Sequence, residues 1–372
     1  MSYQIHTEKG LVNRGNWRRM KDCMRRAQGG DRITIGFIGG SITQGAVAET
    51  HTTCYAYLVF DWWVKKFPKS AFTYVNAGIG GTTSQFGVSR VQSDLLYSRP
   101  DAVFVEFSVN DENTEFFKET YEGLVRTIYD APLKPAVTLI HNIMYDHGKT
   151  AQEIHQAVGV HYNLPCVAMQ PVIYAEVKAG RIPNREITPD DLHPNTAGHA
   201  LVASVIIDYL EKVYAELSVE EPAPGSMPGP ITANHYQNSV RLQNGNCDPL
   251  LEGWTVDHTP QRLVLEGFRN GWTSKTKGAK ITFEAEGSEI AVQYRKTVHH
   301  PAPVASAVID GDIRHAVTLD ANFEEDWGDC LFMQNLIVHG ENKKHTVEIT
   351  LTETHEDDAA EFYLISLIVS HE

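Results

Sequence analysis

Between residues 33 and 215 short β-branched or aromatic runs alternate with stretches of helical periodicity, and this alternation constrains the fold more than any other feature of the chain. The runs ITIGFI, FTYVNA, AVFVEFS, AVTLIHN and CVAM are short and rich in side chains that suit a pleated surface, so they are read as five strands. Between the first two, Tyr55, Leu58, Val59 and Trp62 recur at the spacing of a helix laid on a sheet. Strand and helix alternation of this kind implies a parallel sheet covered on both faces. A last helix, roughly Asn195 to Leu217, closes an α/β domain over residues 1–217.

The stretch SVEEPAPGSMPGP then places four prolines and two glycines in thirteen residues, which breaks any periodic structure and predicts a linker over 218–230. Residues 231–372 carry the runs RLVLEGF, AKITFEA, EIAVQYR, ASAVID, HTVEITL and FYLISLIV between Gly, Asn and Asp turns, with no long helix. That pattern predicts an all-β second domain, a jelly roll or β-sandwich. No internal repeat or low-complexity tract is present.

Composition narrows the partners. The chain has 372 residues, 42% hydrophobic and 21% charged, enough for two separate cores. With 47 acidic and 32 basic side chains its formal charge is −15, which argues against nucleic acid and anionic membranes and for a neutral substrate. The first residues have no apolar core of signal-peptide length and no segment is long enough to span a bilayer, so a cytoplasmic protein is expected. Cys23, Cys54, Cys166, Cys247 and Cys330 are odd in number and lack CxxC spacing, as expected of reduced thiols without a role in the chemistry. No cofactor is expected, and a homo-oligomer is compatible with the sequence.

In a parallel α/β sheet the functional residues gather at the carboxyl ends of the strands. The first strand ends in Gly39, Gly40 and Ser41, the second leads to Gly80 and Gly81, the third to Asn110, and Asp190 and His193 precede the last helix. Each alone has an ordinary reading as a turn, cap or loop residue. A phosphate loop is disfavoured because GGSITQG lacks both the Walker lysine and the dinucleotide fingerprint. Taken together they fill every role of acyl transfer. Ser41 supplies a nucleophile, His193 its base, and Asp190 the carboxylate that holds the imidazole tautomer. The N–H groups of Ser41 and Gly81 and the side-chain amide of Asn110 supply oxyanion donors, with Gly80 in reserve for Gly81 and Asp191 a rival to Asp190.

These four blocks, GGSITQG, NAGIGGTTS, SVND and DDLHP, resemble in kind and order those of the SGNH or GDSL-type hydrolases. The resemblance covers about half the chain and implies a flavodoxin-like domain with a parallel five-stranded sheet. It carries the roles over to Ser41, Gly81, Asn110, Asp190 and His193, with Asp190 three positions before His193, the family's spacing, which favours it over Asp191. Two positions depart from the pattern: Gly40 replaces the aspartate of GDS, and Ser108 the glycine of GxND. More narrowly, the domain order, LVNRGNWRRM and FYLISLIV are similar to carbohydrate esterase family 17, which implies a domain like a family 35 carbohydrate-binding module and removal of 2-O-acetyl groups from mannosyl units.

An acetylated oligosaccharide is therefore the expected partner, with acetylxylan and an inactive sugar-binding protein as alternatives. No amphipathic segment suggests a lipase. Trp327 and Trp272 are the aromatic candidates for sugar contact, and the β-rich domain is expected to contribute to the sugar site. Seventeen histidines raise the question of a metal, but HExxH spacing is lacking and His299 and His300 are read as loop residues. A calcium ion at the acidic turns of the β-rich domain is a further alternative.

Overall fold

The computed structural model describes residues 3–371. Its N-terminal unit, Met1–Asn234, runs in chain order β1 (Leu11–Asn13), α1 (Arg18–Gly29), β2 (Arg32–Gly39), α2 (Ser41–Gln44), α3 (Tyr55–Lys66), β3 (Ala71–Gly78), α4 (Ser84–Asp94), β4 (Ala102–Glu106), α5 (Glu115–Tyr129), β5 (Ala136–His141), α6 (Gln152–His161), β6 (Cys166–Ala168), α7 (Ala175–Lys178), α8 (Asn184–Ile187) and α9 (Thr196–Ala215). Strands β4, β5 and β6 are buried at every position, as a strand covered on both faces must be.

The sheet order is β1-β6-β5-β4-β2-β3, with β2 to β6 parallel and β1 antiparallel on β6. The five predicted parallel strands are thus present in flavodoxin-like order, and the sheet gains a sixth. Strand β1 has three residues and pairs with a strand more than 150 positions away, so no local pattern announces it. Strand β2 lies between β4 and β3, and Gly39 is in register with Glu106 on one side and Gly78 on the other. Three strands therefore end on one rung, at the point where chain order reverses and a crevice opens.

Helix α3 buries Tyr55, Ala56, Val59, Phe60 and Trp63, while Leu58 and Trp62 are only partly covered. The apolar stripe is turned by about one residue from the predicted one because the chain is aromatic on nearly every side there. Phe37 stacks on Phe104 at 4.9 Å and meets Tyr55 edge-on at 6.2 Å, joining the sheet to this helix. Each aromatic fully buried in this layer contributes roughly 2 kcal/mol relative to exposure. No helix among the described residues is long and apolar enough to cross a membrane.

Residues 218–230 carry no helix or strand and are fastened to α1 and the residues just before it. Glu221 accepts from Arg14 at 2.7 Å and from the fully buried Lys21 at 3.0 Å, and Asn16 donates to the Pro222 carbonyl at 3.0 Å. The Arg14 guanidinium, acting against burial, pulls the Glu221 carboxyl down to about 2.

The C-terminal unit, His235–Glu372, is all β. Its strands are β7 (Val240–Leu242), β8 (Leu250–Glu252), β9 (Thr255–Val256), β10 (Trp272–Ser274), β11 (Lys280–Gly287), β12 (Glu289–Lys296), β13 (Val304–Ile309), β14 (Val317–Asp320), β15 (Cys330–Ile337), β16 (Lys343–Glu353) and β17 (Phe362–Ser370). They form two antiparallel sheets, β15-β12-β17-β10-β9 with β7 on β17, and β14-β13-β16-β11-β8. One hydrophobic core is shared by both, as expected of a sandwich. The run RLVLEGF is a correction: it forms no strand. The Glu266 carboxylate accepts from the Arg262 and Leu263 N–H groups at 2.6 and 3.2 Å, curling the backbone into a turn with Leu263 and Leu265 exposed. Trp272 is likewise core, packed edge-on against Phe283 at 5.2 Å.

Candidate active site

The chain leaves β2 through Gly40, and Ser41 is the first residue of the single-turn helix α2. Ser41 is thereby presented at the rim of the sheet with its N–H free of intrahelical bonding. The His193 Nε2 lies 2.8 Å from Ser41 Oγ, and His193 Nδ1 lies 2.6 Å from Asp190 Oδ2. A carboxylate only accepts, so the imidazole proton sits on Nδ1 and Nε2 is left to accept from the serine hydroxyl.

The loop between α8 and α9 builds this arrangement locally. Asp190 Oδ1 accepts the N–H groups of Leu192 and His193 at 3.1 and 2.7 Å, while its other oxygen holds the ring. Burial acts to raise the Asp190 carboxyl, but the bonds from the His193 ring and from these two N–H groups outweigh it and leave it below the ordinary aspartate range. The neighbouring Asp191 turns away: it bonds the Asn184 side-chain amide and pairs with Arg185 at 2.7 Å.

The strands beside β2 bring up the remaining groups. Gly81 has φ +67°, a left-handed conformation that glycine adopts without strain. The N–H of Gly80 already donates to Gln44 Oε1 at 2.6 Å, whereas that of Gly81 has no hydrogen-bond acceptor among the described residues. Of the two glycines, Gly81 is the one able to receive an oxyanion. Gln44 was not singled out in the sequence, though it lies one helical turn after Ser41, the spacing that puts two side chains on one face.

Asn110 sits in the loop after β4, its N–H bonded to the Phe107 carbonyl at 3.0 Å. Its Oδ1 is buried, and a Cβ on residue 40 would lie 2.3 Å from that oxygen. A side chain at position 40 would therefore require the end of the Asn110 carboxamide, as it is seated here, to shift.

The second departure has a clear role. Ser108 donates its N–H and hydroxyl to Glu106 Oε1 at 3.0 and 2.8 Å, its hydroxyl lies 3.0 Å from the Asn142 carbonyl, and its own carbonyl accepts from Ala151 at 2.6 Å. The serine ties down the loop that carries Asn110. Glu106 is fully buried, and desolvation, only partly offset by the Ser108 bonds, pushes its carboxyl up to about 7. Its signal in the sequence is one charge inside an apolar strand.

Two more buried groups brace the site. The Arg90 guanidinium donates to the carbonyls of Ala77 and Gly39 at 2.7 and 3.3 Å and pairs with Asp94 at 3.1 Å. The His199 Nδ1 accepts from the Tyr55 N–H at 3.2 Å, its Nε2 lies 3.2 Å from the Ala46 carbonyl, and burial lowers its pKa to about 4.

Trp327 belongs to the C-terminal unit. It is 53% exposed, meets Phe323 edge-on at 5.0 Å and donates its indole N–H to Glu325 at 2.5 Å. Both ring nitrogens of His300 are occupied, by Asn322 Oδ1 at 2.9 Å and the Phe323 carbonyl at 3.0 Å, so this histidine fastens a loop.

A sequence profile described as the GDSL-like lipase/acylhydrolase family matches residues 37–201. The chain is also similar, at 55% identity and a TM-score of 0.97, to the crystal structure of a two-domain esterase active on acetylated mannans, over 99% of both chains. A structure of such an esterase co-crystallised with mannopentaose gives 55% identity and a TM-score of 0.96, covering 100% of this chain and 99% of that one. No curated protein sequence matches.

Two outcomes are expected. Gly40→Ala forces the Asn110 carboxamide off its seat, so kcat falls on the order of a hundredfold while Tm changes little; steady-state kinetics beside thermal melts check this. Glu106→Gln reports on the buried carboxyl. Because its folded pKa lies above its unfolded one, Glu106 holds its proton in the folded state alone between about pH 4.5 and 7. Wild-type stability therefore declines across that window, by roughly 3 kcal/mol in all, and the glutamine variant escapes the decline. Melts from pH 5 to pH 8 should show Tm moving in favour of the variant as pH rises.

Proposed function

This chain belongs to the GDSL-like lipase/acylhydrolase family, and from that premise we propose that it is a serine esterase removing acetyl groups from acetylated manno-oligosaccharides, the 2-O-acetyl groups of mannosyl units in particular. The observation that carries the reading is 55% identity, across 99% of both chains, to an esterase active on acetylated mannans. The hydrogen-bonded line from Ser41 through His193 to Asp190 supports the mechanism.

In acylation Ser41 Oγ attacks the acetyl carbonyl carbon as His193 Nε2 takes the hydroxyl proton. The carbonyl electron pair moves to oxygen, and the oxyanion is received by the N–H groups of Ser41 and Gly81 and the side-chain amide of Asn110. Collapse of this intermediate breaks the bond to the sugar oxygen, which takes the proton from His193, leaving acetyl-Ser41. Water then attacks the acyl group, giving its proton to His193, and collapse returns that proton to Ser41 and releases acetate. Asp190 stays ionised and stabilises the imidazolium in both steps.

The proposal includes the division into a hydrolase domain over 1–217, a linker over 218–230 and a carbohydrate-recognising domain over 231–372. In the last, Trp327 is assigned to sugar contact because its indole is held by Phe323 and Glu325 yet remains 53% exposed.

Ser41→Ala should fold normally and lose at least about a thousandfold in turnover. Mass spectrometry and NMR of acetylated manno- and xylo-oligosaccharides before and after treatment should show the 2-O-acetyl groups of mannosyl units disappearing first. Full activity in folded Ser41→Ala, or preferential deacetylation of the xylo-oligosaccharide, overturns the reading. Trp327→Ala should weaken turnover of the oligosaccharide while sparing p-nitrophenyl acetate, since remote contacts act only on a substrate that reaches them.

A further inference from the structure

A second Asp and His face each other at the same end of the sheet, with no solvent between them. Asp111 Oδ2 lies 3.0 Å from His155 Nε2, and neither side chain has exposed surface. The His155 ring stacks on Tyr121 of α5 at 3.5 Å with 10° between planes. Since the carboxylate accepts, His155 carries a proton on Nε2. The other carboxylate oxygen, Oδ1, accepts the N–H of Ser84 at 2.9 Å, the first residue of α4.

What these bonds connect is informative. Ser84 is three residues beyond Gly81, and Asp111 directly follows Asn110. One carboxylate therefore ties together the two loops that bring up Gly81 and Asn110. Helix α6, which carries His155, is joined to the Asn110 loop a second time through the Ala151 N–H and the Ser108 carbonyl at 2.6 Å. Ser84 itself is held a second time, its hydroxyl lying 2.6 Å from that of Thr120 on α5. A helix cap needs one acceptor and no histidine; here the acceptor is itself held in place from behind by a buried ring.

We propose that Asp111 and His155 are positioning residues for ester hydrolysis, fixing the Asn110 amide and the Gly81 N–H at the separation an oxyanion requires. This rests on the esterase reading above, in which those two groups are donors. Oxyanion stabilisation depends on donors being fixed before charge develops, so a loosened hole costs rate without costing ground-state binding. Asparagine at position 111 can still accept from Ser84 and can donate to the other tautomer of His155, so it should serve in place of aspartate.

The test is a double-mutant cycle on p-nitrophenyl acetate. Asp111→Ala should lower kcat on the order of tenfold to a hundredfold with KM nearly unchanged, less than outright loss of a donor. Asp111→Asn should restore most of the loss. In an Asn110→Ala background Asp111→Ala should cost no more than about threefold, because one of the donors it aligns is already gone. Equal losses in both backgrounds, or an unchanged kcat in folded Asp111→Ala, would refute the assignment. If Asp111→Ala yields no folded protein, His155→Gln is put through the same cycle and must show the same non-additivity. Ser41→Ala run alongside separates the two readings: if it stays active the esterase mechanism fails, whereas an inactive Ser41→Ala with an additive cycle defeats only the positioning role.

Discussion

Three strand ends lie on one rung of the sheet, and the site can form only because they do. Gly39 is in register with Gly78 and Glu106, so the chain segments leading to Ser41, Gly81 and Asn110 start side by side. The carbonyls of Gly39 and Ala77 both lie within reach of one buried side chain, that of Gly39 also accepting the Ile79 N–H at 3.0 Å. Arg90 answers both with one buried guanidinium, and Asp94 answers Arg90. Desolvation lowers the pKa of this guanidinium, yet Asp94 and two carbonyls favour its charged form. The segments that lead to Ser41 and Gly81 thus share a foundation that neither residue touches.

Around this rung the titratable groups separate by environment. His141 and His199 are buried and their pKa values are depressed by desolvation, which keeps both rings neutral. The His193 ring retains 22% exposure and has a carboxylate on one nitrogen and a hydroxyl on the other. Burial thus sets the two neutral, bracing rings apart from the partly open ring beside Ser41.

Much of this was legible in the sequence, and the parts that were not share a cause. The five parallel strands were readable from their composition, and the approach of Ser41, His193 and Asp190 to one another was readable because strand ends mark sites and each residue has a distinct chemistry. Strand β1 was not, because it is a three-residue edge paired over a long distance. RLVLEGF has the composition of a strand, but a carboxylate four residues along captures its N–H groups. Gly40 and Ser108 were visible as departures, yet what surrounds them depends on where Asn110 and Glu106 stand in space. The spacing of three before His193 favoured Asp190 over Asp191, and it is the Asp190 side chain that meets the ring while Asp191 pairs with Arg185. His155 gave no signal at all, lying 44 residues from its partner.

The loop from Asp190 to His193 sets much of its own geometry. One carboxylate oxygen shapes the backbone through two N–H groups and the other orients the ring, all within four residues. The Asp190–His193 pair is therefore made locally, with one outside bond from the Tyr145 N–H to the Asp191 carbonyl at 2.7 Å, whereas the link to Ser41 spans 152 positions and depends on the packed sheet. Damage to the tertiary structure would break these connections in sequence: the reach to the serine is lost first, while the imidazole remains paired with its carboxylate. Catalytic failure and loss of the Asp–His hydrogen bond are then two separate transitions, and a downfield imidazole proton would outlast turnover as the protein loosens.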